Sequence, residues 1–108
     1  MEAWRDISAK QLVEGIGKGD IDPRRVIDVR EPMEWEYYHL EGTVHMPLQT
    51  IPERMAELSP DEEWYMLCGH GVRSVYACRY LHEKGYGLLR NVSGGIAAAA
   101  LINGFRYD

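Results

Sequence analysis

The run Cys68-Gly69-His70-Gly71-Val72-Arg73-Ser74 carries the residue types for nucleophilic sulfur chemistry. The apolar stretch Trp64-Tyr65-Met66-Leu67 ahead of it reads as a buried strand, and a helical pattern follows from Val72 to Glu83. A cysteine on a short turn into a helix N-terminus lies at the positive end of the helix dipole. Successive backbone N–H groups in such a turn form a concave nest for an anion. Both effects favour the thiolate, the reactive form of cysteine. Gly69 and Gly71 permit the backbone angles a tight nest demands.

Other side chains around this loop admit two readings each. Arg73 offers a planar fork to an anionic donor, or braces the loop on a carboxylate such as Glu31 or Asp28. Ser74 reads as a cap for the helix that follows. His70 is expected to point outward at the mouth, either binding an anion or simply solvated. Arg30 adds positive potential or pairs at the surface with Glu31 or Glu34. Trp35, Tyr37 and Tyr38 pack in the core or rim the pocket. His39 and His45 read as structural hydrogen bonders, and no Cys/His spacing makes a zinc site. Cys78 falls on the apolar face of a helix and reads as inert core, with a resolving thiol as the alternative.

Several elements must position these groups. Ser8 is placed to cap a helix over 9–15, with Leu12, Val13 and Ile16 on one face. Arg25 to Val29 is short and β-branched, as in a parallel strand buried on both faces. Glu31-Pro32 opens a short helix over 33–38. Residues 43–46 form a strand stopped by Pro47, and 51–58 a helix starting near Pro52. The helix after Cys68 sets Val72, Val75, Cys78 and Tyr80 or Leu81 near one face. Residues 88–92 form a strand, and Ser93 is placed to cap a last helix over 94–102. Strands alternating with helices imply an α/β fold with a mostly parallel central sheet flanked by helices. In such sheets ligands bind beyond the carboxyl ends of strands, where Cys68 falls.

The 108 residues suit one domain, 1–108, with a modest core. A net charge of −5 argues against nucleic acid as a partner, and no basic run points to a membrane surface. No apolar run nears the roughly 20 residues that span a bilayer. The N-terminal residues lack the apolar core of a signal peptide. With two cysteines poorly spaced for a disulfide, the expected compartment is the cytoplasm.

Taken together, four blocks resemble the rhodanese-like single-domain sulfurtransferases. Val26-Ile27-Asp28-Val29-Arg30-Glu31-Pro32-Met33-Glu34-Trp35 is similar to the family's first strand and acidic stretch. His39-Leu40-Glu41-Gly42-Thr43-Val44-His45-Met46-Pro47-Leu48 is similar to its second block. The loop from Cys68 to Ser74 resembles the active-site loop, and Val92-Ser93-Gly94-Gly95-Ile96 the closing glycine pair. Two positions depart: Tyr38 stands where the family usually has glycine, and Ala98 where an aromatic commonly follows the glycine pair.

The resemblance implies a rhodanese-like fold of about five strands, and a Cys68 persulfide with no metal or organic cofactor. Thiosulfate or a related small sulfur-containing anion would be the donor. A thiol or cyanide-like acceptor would take the sulfur, with thioredoxin or a sulfur-carrier protein among the candidates. Gly69, His70, Gly71, Val72, Arg73 and Ser74 would bind the anion, while Asp28 would support the loop or a neighbouring turn. Two alternatives stand beside this. Some domains of this fold serve only as docking modules, commonly without the cysteine. Cysteine phosphatases and arsenate reductases also set a cysteine and an arginine around an anion, but with five residues between them; here four intervene.

Overall fold

The computed structural model describes residues 3–107. Five strands form one sheet: β1 (Arg5–Ser8), β2 (Val26–Asp28), β3 (Val44–His45), β4 (Trp64–Leu67) and β5 (Leu89–Ser93). Their order is β1-β5-β4-β2-β3, and every pairing is parallel. The helices are α1 (Ala9–Gly17), α2 (Pro32–Tyr37), α3 (Ile51–Arg54), α4 (Arg73–Glu83) and α5 (Gly95–Ile102).

The sheet divides two apolar layers. On one side Ile27, Met46 and Met66 pack with Cys78 and Leu81 of α4 and Ile51 of α3. On the other, Val26, Leu67 and Val92 pack with Leu12 of α1 and Ile96 and Ala99 of α5. Alternate residues of one strand thus serve opposite layers, which is why every residue of β2 and β4 is buried. Each layer removes several large side chains from water at roughly 1.5–3 kcal/mol apiece, which drives the layering.

The α/β class and the parallel sheet are as the sequence implies. Element ends shift by a residue or two, and α1 runs two residues past the expected stop. Its start is a full capping box: Ser8 Oγ accepts from Gln11 N–H, and the Gln11 side chain accepts from Ser8 N–H, both at 3.0 Å. The expected helix over 51–58 is shorter, α3 giving way to a 3-10 turn at Met55–Glu57. β1 lies at the sheet edge, in a stretch with no strand pattern. Its residues are Arg-Asp-Ile-Ser, and pairing with β5 makes it a strand.

Candidate active site

β4 ends at Leu67, so Cys68 emerges from the carboxyl edge of a strand flanked by β5 and β2. Cys68 is only 1% exposed. Its Sγ accepts a hydrogen bond from Gly71 N–H at 3.1 Å and lies 3.2 Å from Ser74 Oγ. Gly71 reaches the sulfur because it holds φ at +94°, a conformation that disfavours any side chain.

The loop is held from behind by α5. Ile96 N–H donates to Cys68 C=O at 2.8 Å, and Ala97 N–H to Gly69 C=O at 3.1 Å. These are first-turn amides, which no carbonyl within α5 can satisfy. So close an approach requires Gly95: a Cβ there would stand 2.5 Å from the Cys68 carbonyl oxygen, at φ +60°. The closing glycine pair therefore lets the N-terminus of α5 reach the loop. Ser93 does not cap this helix. The N-cap is Gly94, and Ser93 Oγ instead donates to Ile7 C=O of the neighbouring edge strand.

The two arginines have partners other than those the sequence suggested. Arg73 forks onto Glu34, with Nη1–Oε1 at 2.6 Å and Nη2–Oε2 at 2.8 Å, and not onto Glu31 or Asp28. The guanidinium, above all by hydrogen bonding, holds the Glu34 carboxyl down at about 2, and the same bond raises the Arg73 pKa further. Glu34 reaches Arg73 because α2 starts with a reciprocal cap in which Glu31 N–H donates to Glu34 Oε1. Arg30 forms no surface pair with Glu31 or Glu34. It is fully buried and forks onto the equally buried Asp28, at 2.9 Å through Nε and 2.8 Å through Nη2. Its other N–H groups reach Tyr38 C=O, Glu34 C=O and Tyr107 Oη. Asp28 and Arg30 thus tie β2 to both ends of α2, and Arg30 is no free cation at the site.

Ser74 is not a helix cap either. It lies inside the first turn of α4, fully buried, and donates to Asn91 Oδ1 at 2.5 Å. The buried face of α4 is Ser74, Ala77, Cys78 and Leu81, while Val72 is 62% exposed on the loop rim. His70 is exposed, as expected. Cys78 is buried and free, and burial pushes its thiol up to about 12, as suits inert core. His39 and His45 are structural, bonding Trp35 C=O and Arg30 C=O at 2.7 Å each and stacking on Trp35. Tyr37 lies neither in the core nor on the loop; it is exposed and meets Phe105 and Tyr107 edge-on. Among the described residues no group of three His, Cys, Asp or Glu is placed to hold a metal. No helix among them is long and apolar enough to cross a membrane.

Sequence reading missed Glu34 as the Arg73 brace, and also Asn91, Asp6 and Tyr107. Nothing in their local pattern marks them; each joins the site through an element distant in the chain.

A parallel α/β domain with a buried, nested cysteine at a strand end defines a class of sulfur- or anion-handling proteins. Residues 8–100 match the rhodanese-like domain, and the chain belongs to that family. A sulfurtransferase of Allochromatium vinosum is 36% identical over 81 residues, covering 75% of this chain and 76% of that protein. A putative sulfurtransferase, YtwF of Bacillus subtilis, is 40% identical over 73 residues, covering 68% and 70%. Among solved structures, a rhodanese-like domain protein from Staphylococcus aureus superposes with a TM-score of 0.79 at 27% identity, covering 88% and 90%. These likenesses support sulfur transfer as the general activity.

Proposed function

We propose that this protein carries a sulfane sulfur as a persulfide on Cys68, taken from thiosulfate or a related anionic donor. The observation that carries the reading is the setting of Sγ. It is nearly enclosed, receives the Gly71 N–H, and sits in a loop of four residues between Cys68 and Arg73. So enclosed a sulfur favours a donor that presents one slim terminal atom.

With thiosulfate, the Cys68 thiolate attacks the outer sulfur. The new Sγ–S bond forms, the S–S bond of thiosulfate breaks, and sulfite leaves with the electron pair. The negative charge then rests on the outer sulfur, among the backbone groups of Gly69, His70, Gly71, Val72, Arg73 and Ser74. A thiolate or cyanide next attacks that outer sulfur, forming a new persulfide or thiocyanate and returning the Cys68 thiolate. No cofactor or external redox agent enters the balance. Asp28 and Arg30 support the fold beneath the loop. Val72 and Tyr76, both more than half exposed, give an acceptor such as thioredoxin or a sulfur carrier an apolar place to approach. Free cysteines suit a reducing compartment, the cytoplasm.

Phosphoryl transfer fits less well. An arginine serving a phosphate must turn its fork inward, and Arg73 spends its fork on Glu34. The test is a single turnover. Protein loaded with thiosulfate, desalted and mixed with cyanide should release about one thiocyanate per chain. Cys68→Ser should release none; release from that variant overturns the reading.

A further inference from the structure

We propose that Asn91, held by Asp6, governs how readily Cys68 ionises, acting through the Ser74 hydroxyl. The proposal deepens the persulfide reading and rests on it for its biological purpose. Ser74 Oγ lies 3.2 Å from Cys68 Sγ and donates to Asn91 Oδ1 at 2.5 Å. Ser74 is fully buried and Asn91 is 4% exposed, so water does not complete either side chain's bonds. At its other end Asn91 donates through Nδ2 to Asp6 Oδ1 at 3.2 Å. A carboxylate only accepts. The amide NH2 therefore faces Asp6, and the amide oxygen faces Ser74. The register sets this up, since Asp6 of β1 lies directly beside Asn91 of β5.

A hydroxyl has one proton to give. While Ser74 gives it to Asn91, it can only accept from the sulfur, so this arrangement holds Cys68 as S–H. Ionisation sends the thiol proton to water and turns the Ser74 O–H from Asn91 to Sγ. The buried Asn91 oxygen is then left without that donor, at a cost. Once an outer sulfur is attached, the charge moves onto it and Sγ becomes neutral. Ser74 then returns its proton to Asn91. The triad therefore opposes the bare thiolate and spares the loaded persulfide. The other ionisable groups near Sγ are Arg73 with its partner Glu34, Cys78 of α4 and His70 of the loop. They are common to the parent and the variants below. Asn91 and Asp6 are positioning residues; neither touches the reacting sulfur.

The test is the rate of Cys68 alkylation by iodoacetamide across pH, with the modified residue located by peptide mass. Asn91→Leu keeps the side chain's size and removes the competing oxygen, so Ser74 can donate only to sulfur. The alkylation midpoint should fall by about one pH unit, the worth of one released hydrogen bond. Adding Ser74→Ala should erase that fall when compared with Ser74→Ala alone. A folded Asn91→Leu whose midpoint is unchanged or raised overturns the proposal. If Asn91→Leu lacks a native circular dichroism spectrum, Asp6→Ala on the exposed edge strand decides. There the freed amide can turn its NH2 toward Ser74, and the midpoint should again fall; an unchanged midpoint overturns the proposal. Alkylation needs no sulfur donor, so failure here leaves the persulfide reading to the thiocyanate assay.

Discussion

Two arginines in the sequence, Arg30 and Arg73, could suggest a cationic cradle, yet each is neutralised by its own carboxylate. Charge on Sγ is met mainly by neutral donors, the Gly71 N–H first. The Glu34–Arg73 fork shapes the loop rather than charging it. Its pH dependence follows from the depressed Glu34 carboxyl, about 2 against an ordinary 4.5. A lowered folded value contributes stability above pH 4.5 and loses it as pH falls toward 2. Both side chains are about one-third exposed, so solvent screening leaves on the order of 1–2 kcal/mol. Glu34→Gln should flatten the acid limb of an unfolding curve between those pH values. An acid limb identical to the parent's would show that the fork does not hold the loop. Changing Arg30→Met strands the buried Asp28 charge and should cost about 3–5 kcal/mol. A midpoint of chemical unfolding within error of the parent's would contradict this.

At the scale of elements, the site depends on how close α5 comes to the loop. Gly95→Ala drives a methyl into the carbonyls of Cys68 and Gly69, so either α5 retreats or the loop moves. A loss of about 2 kcal/mol or more is expected, with slower sulfur uptake in whatever folds. Thermal unfolding and a loading time course check both parts; a variant with native stability and loading would show that the approach is slack. The main elements were legible because they are written locally. Ser8 caps α1, short apolar runs mark β2 and β4, and Cys68 with its glycines marks the loop. β1 was not, because its residues are polar and only β5 makes them a strand. Ser74 and Ser93 mislead for a related reason. Serine beside a helix start usually caps it, but here cross-strand and cross-loop partners claim both hydroxyls.

Across the whole molecule, the ion-pair partners show where local reading ends. Arg30, Arg73 and Asp28 were visible as site candidates, and Glu31 and Glu34 as carboxylates within reach, yet the pairing depends on depth. Arg30 runs beneath α2 to the buried Asp28, whereas Arg73 arrives from α4 to meet Glu34 at the surface. Tyr107 joins the two systems, accepting from Arg30 at 3.0 Å and donating to Glu34 Oε2 at 3.3 Å. Tyr107→Phe should therefore lower stability by about 1 kcal/mol while leaving the rate of cysteine alkylation unchanged. All of these supports converge on one sulfur atom. The most direct measurement is the intact mass of the wild type and Cys68→Ser after incubation with thiosulfate. The arrangement predicts a gain of one sulfur, about 32 Da, on the wild type alone, removed by a thiol. An equal gain on Cys68→Ser, or none on the wild type, would contradict a thiosulfate-loaded Cys68 persulfide.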